Sequence, residues 1–290
     1  MTMTMTMTMK CAPTTPHSPL TRRHLLVAAG AALAWRPAAA QAFDHRHAAW
    51  TALLRKHVVL IAGGSASQLR YAGMATDRAA LKDYLAALAA VNRAAFDGFS
   101  KDQQKAFLIN AYNAYTVELV LTKYPKLESI KDLGSLLQSP WKQKVAPLFG
   151  AAMTLDGIEH DTLRARGRYD DPRIHFAVNC ASIGCPMLRE EAFVAERLEA
   201  QLDEQALRFM SDRSRNRFST ANQRLEVSKI FDWYGEDFRL GHRGIASLPA
   251  FCARYADALS AVPAERELIR TEKAPIAHLE YDWRLNDAAR

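Results

Sequence analysis

Long apolar runs are missing from this sequence. The one near the start, Leu25 to Trp35, is only 11 residues long and is broken by Arg36-Pro37, short of the ~20 residues that cross a bilayer. A stable membrane span is therefore not expected. There is no Lys/Arg stripe interleaved with aromatics, which excludes nucleic acid as the expected partner. No Cys-x-x-Cys occurs, so dithiol exchange of the thioredoxin type is not expected. Beyond Gly64 no internal repeat is present and no stretch reads as a linker. Cysteine is scarce: of four in the chain, Cys180, Cys185 and Cys252 follow residue 42. An odd number cannot pair completely within one chain.

What the start does have is an address. The Met-Thr repeat from Met1 to Met9 is low in complexity and cannot build a core. Thr21-Arg22-Arg23-His24-Leu25-Leu26 resembles a twin-arginine export motif, and small residues offer A-x-A cleavage after Ala40 or Ala42. Residues 1–42 are thus expected to be a low-complexity start and a twin-arginine-type signal peptide, residues 43–74 an N-terminal helix and connector, and residues 75–286 a single globular domain. The expected location is the periplasm. Cleavage also removes Lys10, Arg22, Arg23 and Arg36, taking the formal charge from +7 to +3. A chain that reads as basic becomes ordinary.

Apolar spacing predicts helices over Phe43 to Ile61, Thr76 to Ala95, Glu190 to Met210 and Ser247 to Leu259. Thr76 or Asp77 is the expected cap of the second. Ser100-Lys-Asp-Gln103 matches a capping box and predicts a helix to about Lys123. Asn110 and Asn113 lie three apart on that helix, so they are surface neighbours. Asparagine amides compete for backbone partners, so two of them there imply a specific role, either holding a neighbouring loop or lining a site. Ser129 to Phe149 reads as irregular. Asp156 followed by Glu159 predicts an N-cap and a short helix, with His160 and Arg164 on one face. Arg224 to Ser228 reads as a strand, Ile230 to Phe238 as an aromatic, acidic helical turn, and Ile276 to Leu285 as a well-alternated strand near the centre. The predicted class is α+β: a mostly helical single domain around a small, mainly antiparallel β-sheet.

Arg173-Ile-His-Phe-Ala-Val-Asn-Cys180 reads as a strand that leads into a small-residue turn ending at Cys185-Pro186. Regular alternation puts Ile174, Phe176, Val178 and Cys180 on one side and His175 and Asn179 on the other.

Several strings together resemble the domain of unknown function 547 family: Phe107 to Asn113, Leu155 to His160 with Leu163-Arg164, Asp171 to Cys180 with Cys185-Pro186, Ile230 to Tyr234, and Tyr281 to Asn286. They occur in the family's order and cover roughly residues 75 to 286. The resemblance implies an exported bacterial type and groups these polar residues as one pattern. It implies no activity.

Two functional readings follow from the residues. In the first, the protein is a thiol-dependent hydrolase or acyl transferase. Cys180 or Cys185 is the nucleophile, and a histidine takes its proton and stabilises the thiolate. His160 is the expected base, because alternation turns His175 away from Cys180; if the strand ends before Asn179, His175 returns. Glu159, Asn179 or Asn113 would orient the imidazole, and backbone N–H groups of Ala181 to Gly184 would form an oxyanion hole. Asn110, Asn113, Arg164 and Asn179 are the expected polar lining. In the second reading the domain is non-catalytic, with a structural or binding role, and a Cys180–Cys185 disulfide closes the turn. Cys180, Cys185, His160 and His175 are zinc-ligand types, but Cys-x4-Cys spacing is loose for zinc; neither a metal nor another cofactor is expected. The partner is expected to be a small molecule or peptide.

Overall fold

The computed structural model describes residues 42–135 and 138–289. The expected export signal and the Met-Thr repeat lie outside the described residues. From Ala42 onward the chain packs as one unit. It is α+β and mostly helical, as its sequence predicts, with its strands divided among three small sheets. No helix among the described residues is long and apolar enough to cross a membrane.

Helix α1 (Ala48–His57) buries Trp50, Leu53, Leu54 and His57. It stops four residues earlier than its apolar spacing predicts. The branched run Val58–Ile61 becomes strand β1 and pairs antiparallel with β2 (Ala66–Leu69). The connecting turn uses Gly63 and Gly64 at φ 65° and 90°, which glycine adopts without a Cβ clash. A short α2 (Tyr71–Thr76) precedes the predicted 76–95 helix, which is divided into α3 (Arg78–Ala89) and the start of α4 (Arg93–Asp97). Asp77 occupies the expected N-cap position of α3, but its side chain makes no cap hydrogen bond. Its carboxylate instead meets His57 Nε2 at 2.7 Å and Lys56 Nζ at 2.6 Å.

Helix α5 (Lys101–Leu121) begins at the predicted capping box: Ser100 Oγ accepts from Gln103 N at 3.2 Å, and Gln103 Oε1 accepts from Ser100 N at 2.9 Å. It is buried almost all round, as expected for a helix at the centre of a core. The stretch read as irregular contains short 3₁₀ turns at Ile130–Leu133 and Pro140–Lys142 and a hairpin of β3 (Lys144–Leu148) and β4 (Ala151–Thr154). Short α6 (Leu155–Ile158) follows. It is capped by Thr154, whose Oγ1 accepts from Gly157 N at 2.9 Å, and not by Asp156.

Arg173 to Cys180 is not a strand. Ile174–Ala177 forms helix α7, and the chain then extends from Val178. The difference has a physical reason: α7 sits between two cores. Ile174, Ala177 and Val178 pack into the larger one, and Phe176 packs into an aromatic one with Phe209, Phe231, Phe238 and Phe251. A segment covered on both sides shows apolar residues at positions that mimic alternation.

Helix α8 (Leu198–Ser211) starts eight residues later than predicted. Glu190 and Glu191 instead hold Arg208, Arg189 and Arg197. Phe193, Leu198, Leu202 and Met210 are buried as expected, but Leu207 is 49% exposed. Strands β5 (Arg217–Ser219) and β6 (Arg224–Val227) form an antiparallel pair. Helices α9 (Ile230–Trp233), α10 (Leu248–Ala253), α11 (Ala256–Leu259) and α12 (Pro263–Arg270) close the second core, where Cys252 is a buried apolar residue as expected. The predicted terminal strand keeps only Ile276–His278, β7, at the sheet edge and parallel to β6. Beyond it the chain leaves the sheet and crosses to the Cys180 turn, where Ile183 N donates to Arg284 O and Gly184 N to Asp282 O, both at 2.8 Å.

Candidate functional site

That crossing closes a cavity of about 280 Å³. Its walls come from every part of the fold: Tyr112 of α5, Trp141, Asp156 of α6, Glu159 and His160, His175 of α7, Val178, Cys180, Cys185 and Pro186, then Ile230, Trp233 and Tyr234 from α9 and its end, and Tyr281 and Trp283 from the terminal crossing.

The stretch after α6 is a π turn, Glu159–Leu163, in which Arg164 N reaches back to Glu159 O at 2.9 Å. A π turn inserts a residue into the helical repeat and re-aims side chains, often at functional sites. Glu159 is turned inward and buried, while His160 stays partly open at the wall. Arg164 does share a face with His160: its Nη1 donates to His160 Nδ1 at 2.8 Å. Arg164 also holds Asp237 through Nε at 2.6 Å and stacks over Tyr234. It braces the wall from behind and is not among the lining residues.

The cysteine turn is held by asparagines. Asn113 Nδ2 donates to Ala177 O at 2.9 Å, and its Oδ1 accepts from Asn179 N at 2.8 Å. Asn179 Nδ2 donates to Pro186 O at 2.7 Å, and its Oδ1 accepts from Ala181 N at 2.9 Å. Asn110 bonds both backbone groups of Phe193. All three are buried and none lines the cavity. The expectation that they are polar lining is therefore corrected: they hold loops, and Asn113 and Asn179 fix the loop that carries the thiols. Of the expected oxyanion donors, the Ser182 N–H is directed at the Cys180 sulfur. The N–H groups of Ala181, Ile183 and Gly184 are already bonded to Asn179, Arg284 and Asp282.

Cys180 and Cys185 are free thiols, so the expected disulfide is not formed. They are nevertheless intimate: Cys180 N donates to Cys185 Sγ at 2.9 Å. Cys180 Sγ lies 3.0 Å from Tyr281 Oη and 3.7 Å from Ser182 Oγ. A hydrogen bond from the Cys185 thiol, stronger than the opposing effect of burial and aided by Tyr281 and Ser182, brings the Cys180 thiol down to about 7. Burial and the neighbouring Cys180 charge push Cys185 up. Only Cys180 is thus poised to be a thiolate near neutrality.

His175 also faces the cavity, since α7 has replaced the strand that would turn it away. It is 2% exposed, and its ring stacks on Tyr234 with centroids 4.0 Å apart. Nε2 lies 2.7 Å from Asp237 Oδ2. A carboxylate only accepts, so Nε2 carries the proton and Nδ1 is left as the basic nitrogen. Nδ1 has no hydrogen-bond partner, and the Glu159 carboxylate is 3.9 Å away. Burial works against ionised Asp237, but hydrogen bonds from His175 and Arg164 outweigh it and hold the carboxyl well below the usual range. Asp237 is not singled out by sequence reasoning. Its one signal is its place in the acidic, aromatic string after Ile230. Tyr281 and Trp283 read as strand residues in the sequence and are wall residues in the structure.

Among the described residues, no group of three or more His, Cys, Asp or Glu is arranged to hold a metal ion. No curated protein and no solved structure matches the chain. A family match covers α5, the π turn, α7, the cysteine turn and most of α8, and leaves Asp237 and Tyr281 outside it. Residues 96–210 match the model of the family described as "Protein of unknown function, DUF547".

Proposed function

We propose that the cavity is the active site of a thiol-dependent hydrolase or acyl transferase, working in the periplasm after export. The observation that carries this reading is that Cys180, lowered to about 7, shares one cavity with His175, whose Nδ1 is unpartnered and whose Nε2 is fixed by Asp237. These are the parts of a nucleophile, base and orienting group. His175 replaces His160 as the base, because the Arg164 guanidinium occupies His160 Nδ1.

His175 Nδ1 takes the proton of the Cys180 thiol, and the thiolate attacks an acyl carbon, forming the C–S bond as the carbonyl electrons move onto oxygen. Collapse expels the leaving group, which takes a proton from His175 and leaves a thioester. Water, or a second nucleophile in a transferase, gives its proton back to His175 and releases the acyl group. Tyr281 Oη, beside the sulfur, is the donor best set to steady the thiolate and the developing oxyanion. The leader-like start, with its twin arginines and small-residue cleavage sites, supports export.

The test is a burst of p-nitrophenol from p-nitrophenyl acetate, with the labelled peptide identified by mass. One acetyl group per chain on Cys180, absent in Cys180→Ala and slowed by His175→Ala, is expected. Acetylation only of lysines, unchanged in both variants, would contradict the reading and favour a binding role.

A further inference from the structure

The chemistry of the cavity wall selects a substrate class. The lining includes six aromatic rings, from Tyr112, Tyr234, Tyr281, Trp141, Trp233 and Trp283, and two carboxylates, Asp156 and Glu159; no Lys or Arg is among the lining residues. Lys142 and Arg164 act on Asp156 and Glu159 only through longer-range charge, without a salt bridge to either. Arg164 is held by Asp237, and Lys131 sits 3.8 Å from the Trp283 ring centroid. Glu159 is buried, with His175 Nδ1 as its ionic neighbour at 3.9 Å; Asp156 stands 3.7 Å from His160 Nε2. Neither carboxylate has a close, permanently charged partner among these contacts. Burial accordingly holds the Asp156 carboxyl above its usual value. His175 Nδ1, fully enclosed and unpartnered, is an independent sign that a donor belongs in this space. A buried and a partly buried carboxylate beside aromatic faces attract an ammonium group through both charge and ring quadrupole.

We infer that the cavity binds a substrate with a cationic amine, seated between Asp156, Glu159 and the aromatic wall. This rests on the active-site reading and names its substrate class. The ammonium N–H groups face the two carboxylates, and its methylenes lie against Trp233 and Trp283. A neutral group of the same shape loses the charge attraction but keeps the apolar contact.

Tryptophan fluorescence of the mature protein, titrated with n-butylammonium chloride and separately with n-butanol at matched ionic strength, tests the inference. Saturable quenching by butylammonium is expected, with butanol binding weaker by about tenfold or more. The Asp156→Asn/Glu159→Gln variant, checked for folding by its melting curve, should abolish the preference, while Cys180→Ala should keep it. Equal affinity for amine and alcohol, no saturable amine binding, or an unaltered preference in the double variant would overturn it. The readout needs no thiol chemistry, so the two ideas fail separately. Amine preference without Cys180 acetylation sinks the enzymatic reading alone; acetylation without amine preference sinks this one alone.

Discussion

His175 Nε2 stands 2.7 Å from Asp237 Oδ2, although 62 positions separate them in the chain. The contact joins α7 to the turn after α9 and fixes which imidazole nitrogen is free. Arg164 reaches the same carboxylate from the π turn, so a single side chain locks two walls of the cavity.

Asp237→Asn should therefore destabilise the fold by about 1–3 kcal/mol at pH 7, the range for losing hydrogen bonds to charged groups. The pH dependence has a definite sign. The folded-state pKa of Asp237 is depressed. Its stabilising effect is present above the ordinary carboxylate range and is lost as pH falls through the depressed value. Urea unfolding of both proteins should show a constant gap from pH 7 down to about pH 5 and a shrinking one in stronger acid. A gap that grows on acidification would reject this role.

Tyr281→Phe removes the hydroxyl 3.0 Å from Cys180 Sγ and leaves the aromatic wall. The midpoint of Cys180 alkylation should move upward from about 7. Iodoacetamide modification near pH 7 should slow by roughly two- to tenfold as the thiolate fraction falls. Stopped-time mass mapping reads this directly, and an unchanged midpoint would remove Tyr281 from the site.

The two helix asparagines should separate. Asn113→Ala leaves the Ala177 carbonyl and the Asn179 N–H unpaired, and Asn110→Ala does the same to both backbone groups of Phe193. Each should cost about 2–4 kcal/mol in chemical denaturation, the penalty for buried unsatisfied groups. Only Asn113→Ala should also alter Cys180 alkylation, because only it holds the cysteine turn.

Gly184 is a close-approach glycine. A Cβ there would meet Asp282 N at 2.9 Å, Asp282 O at 3.1 Å and the Tyr281 ring at 3.1 Å. Gly184→Ala should push the terminal crossing away from the turn, costing about 1–3 kcal/mol and shifting Cys180 reactivity in the same direction as Tyr281→Phe. Normal stability with wild-type thiol reactivity would show that the crossing does not position Tyr281.

Local chemistry in the sequence is a good guide where one element decides its own structure. The Ser100–Gln103 capping box, the helix it opens and the pairing of His160 with Arg164 all depend on residues within one or two turns. The loop-holding role of Asn110 and Asn113 is legible as one of two options, because a buried amide needs partners wherever it lies. The differences fall where tertiary contacts override local pattern. Helix α7 looks like a strand because two cores cover it. The alternation from Ile276 to Leu285 looks like a sheet face, yet Tyr281 and Trp283 line a cavity instead. Asp237 is not legible, since no local signal tells a surface aspartate from one that receives a histidine and an arginine from distant elements.

Cys180 is the activated thiol of this cavity in the proposed chemistry, and everything else about the site depends on that. The most direct measurement is its iodoacetamide alkylation rate between pH 5 and 9, resolved by peptide mass from Cys185 and Cys252. Cys180 should react fastest, with a midpoint near 7, while Cys185 and Cys252, both raised by burial, should stay slow until the protein is unfolded. A Cys180 that reacts no faster than Cys252 in the native protein, or only with a midpoint above about 8.5 as for a free thiol, would contradict it.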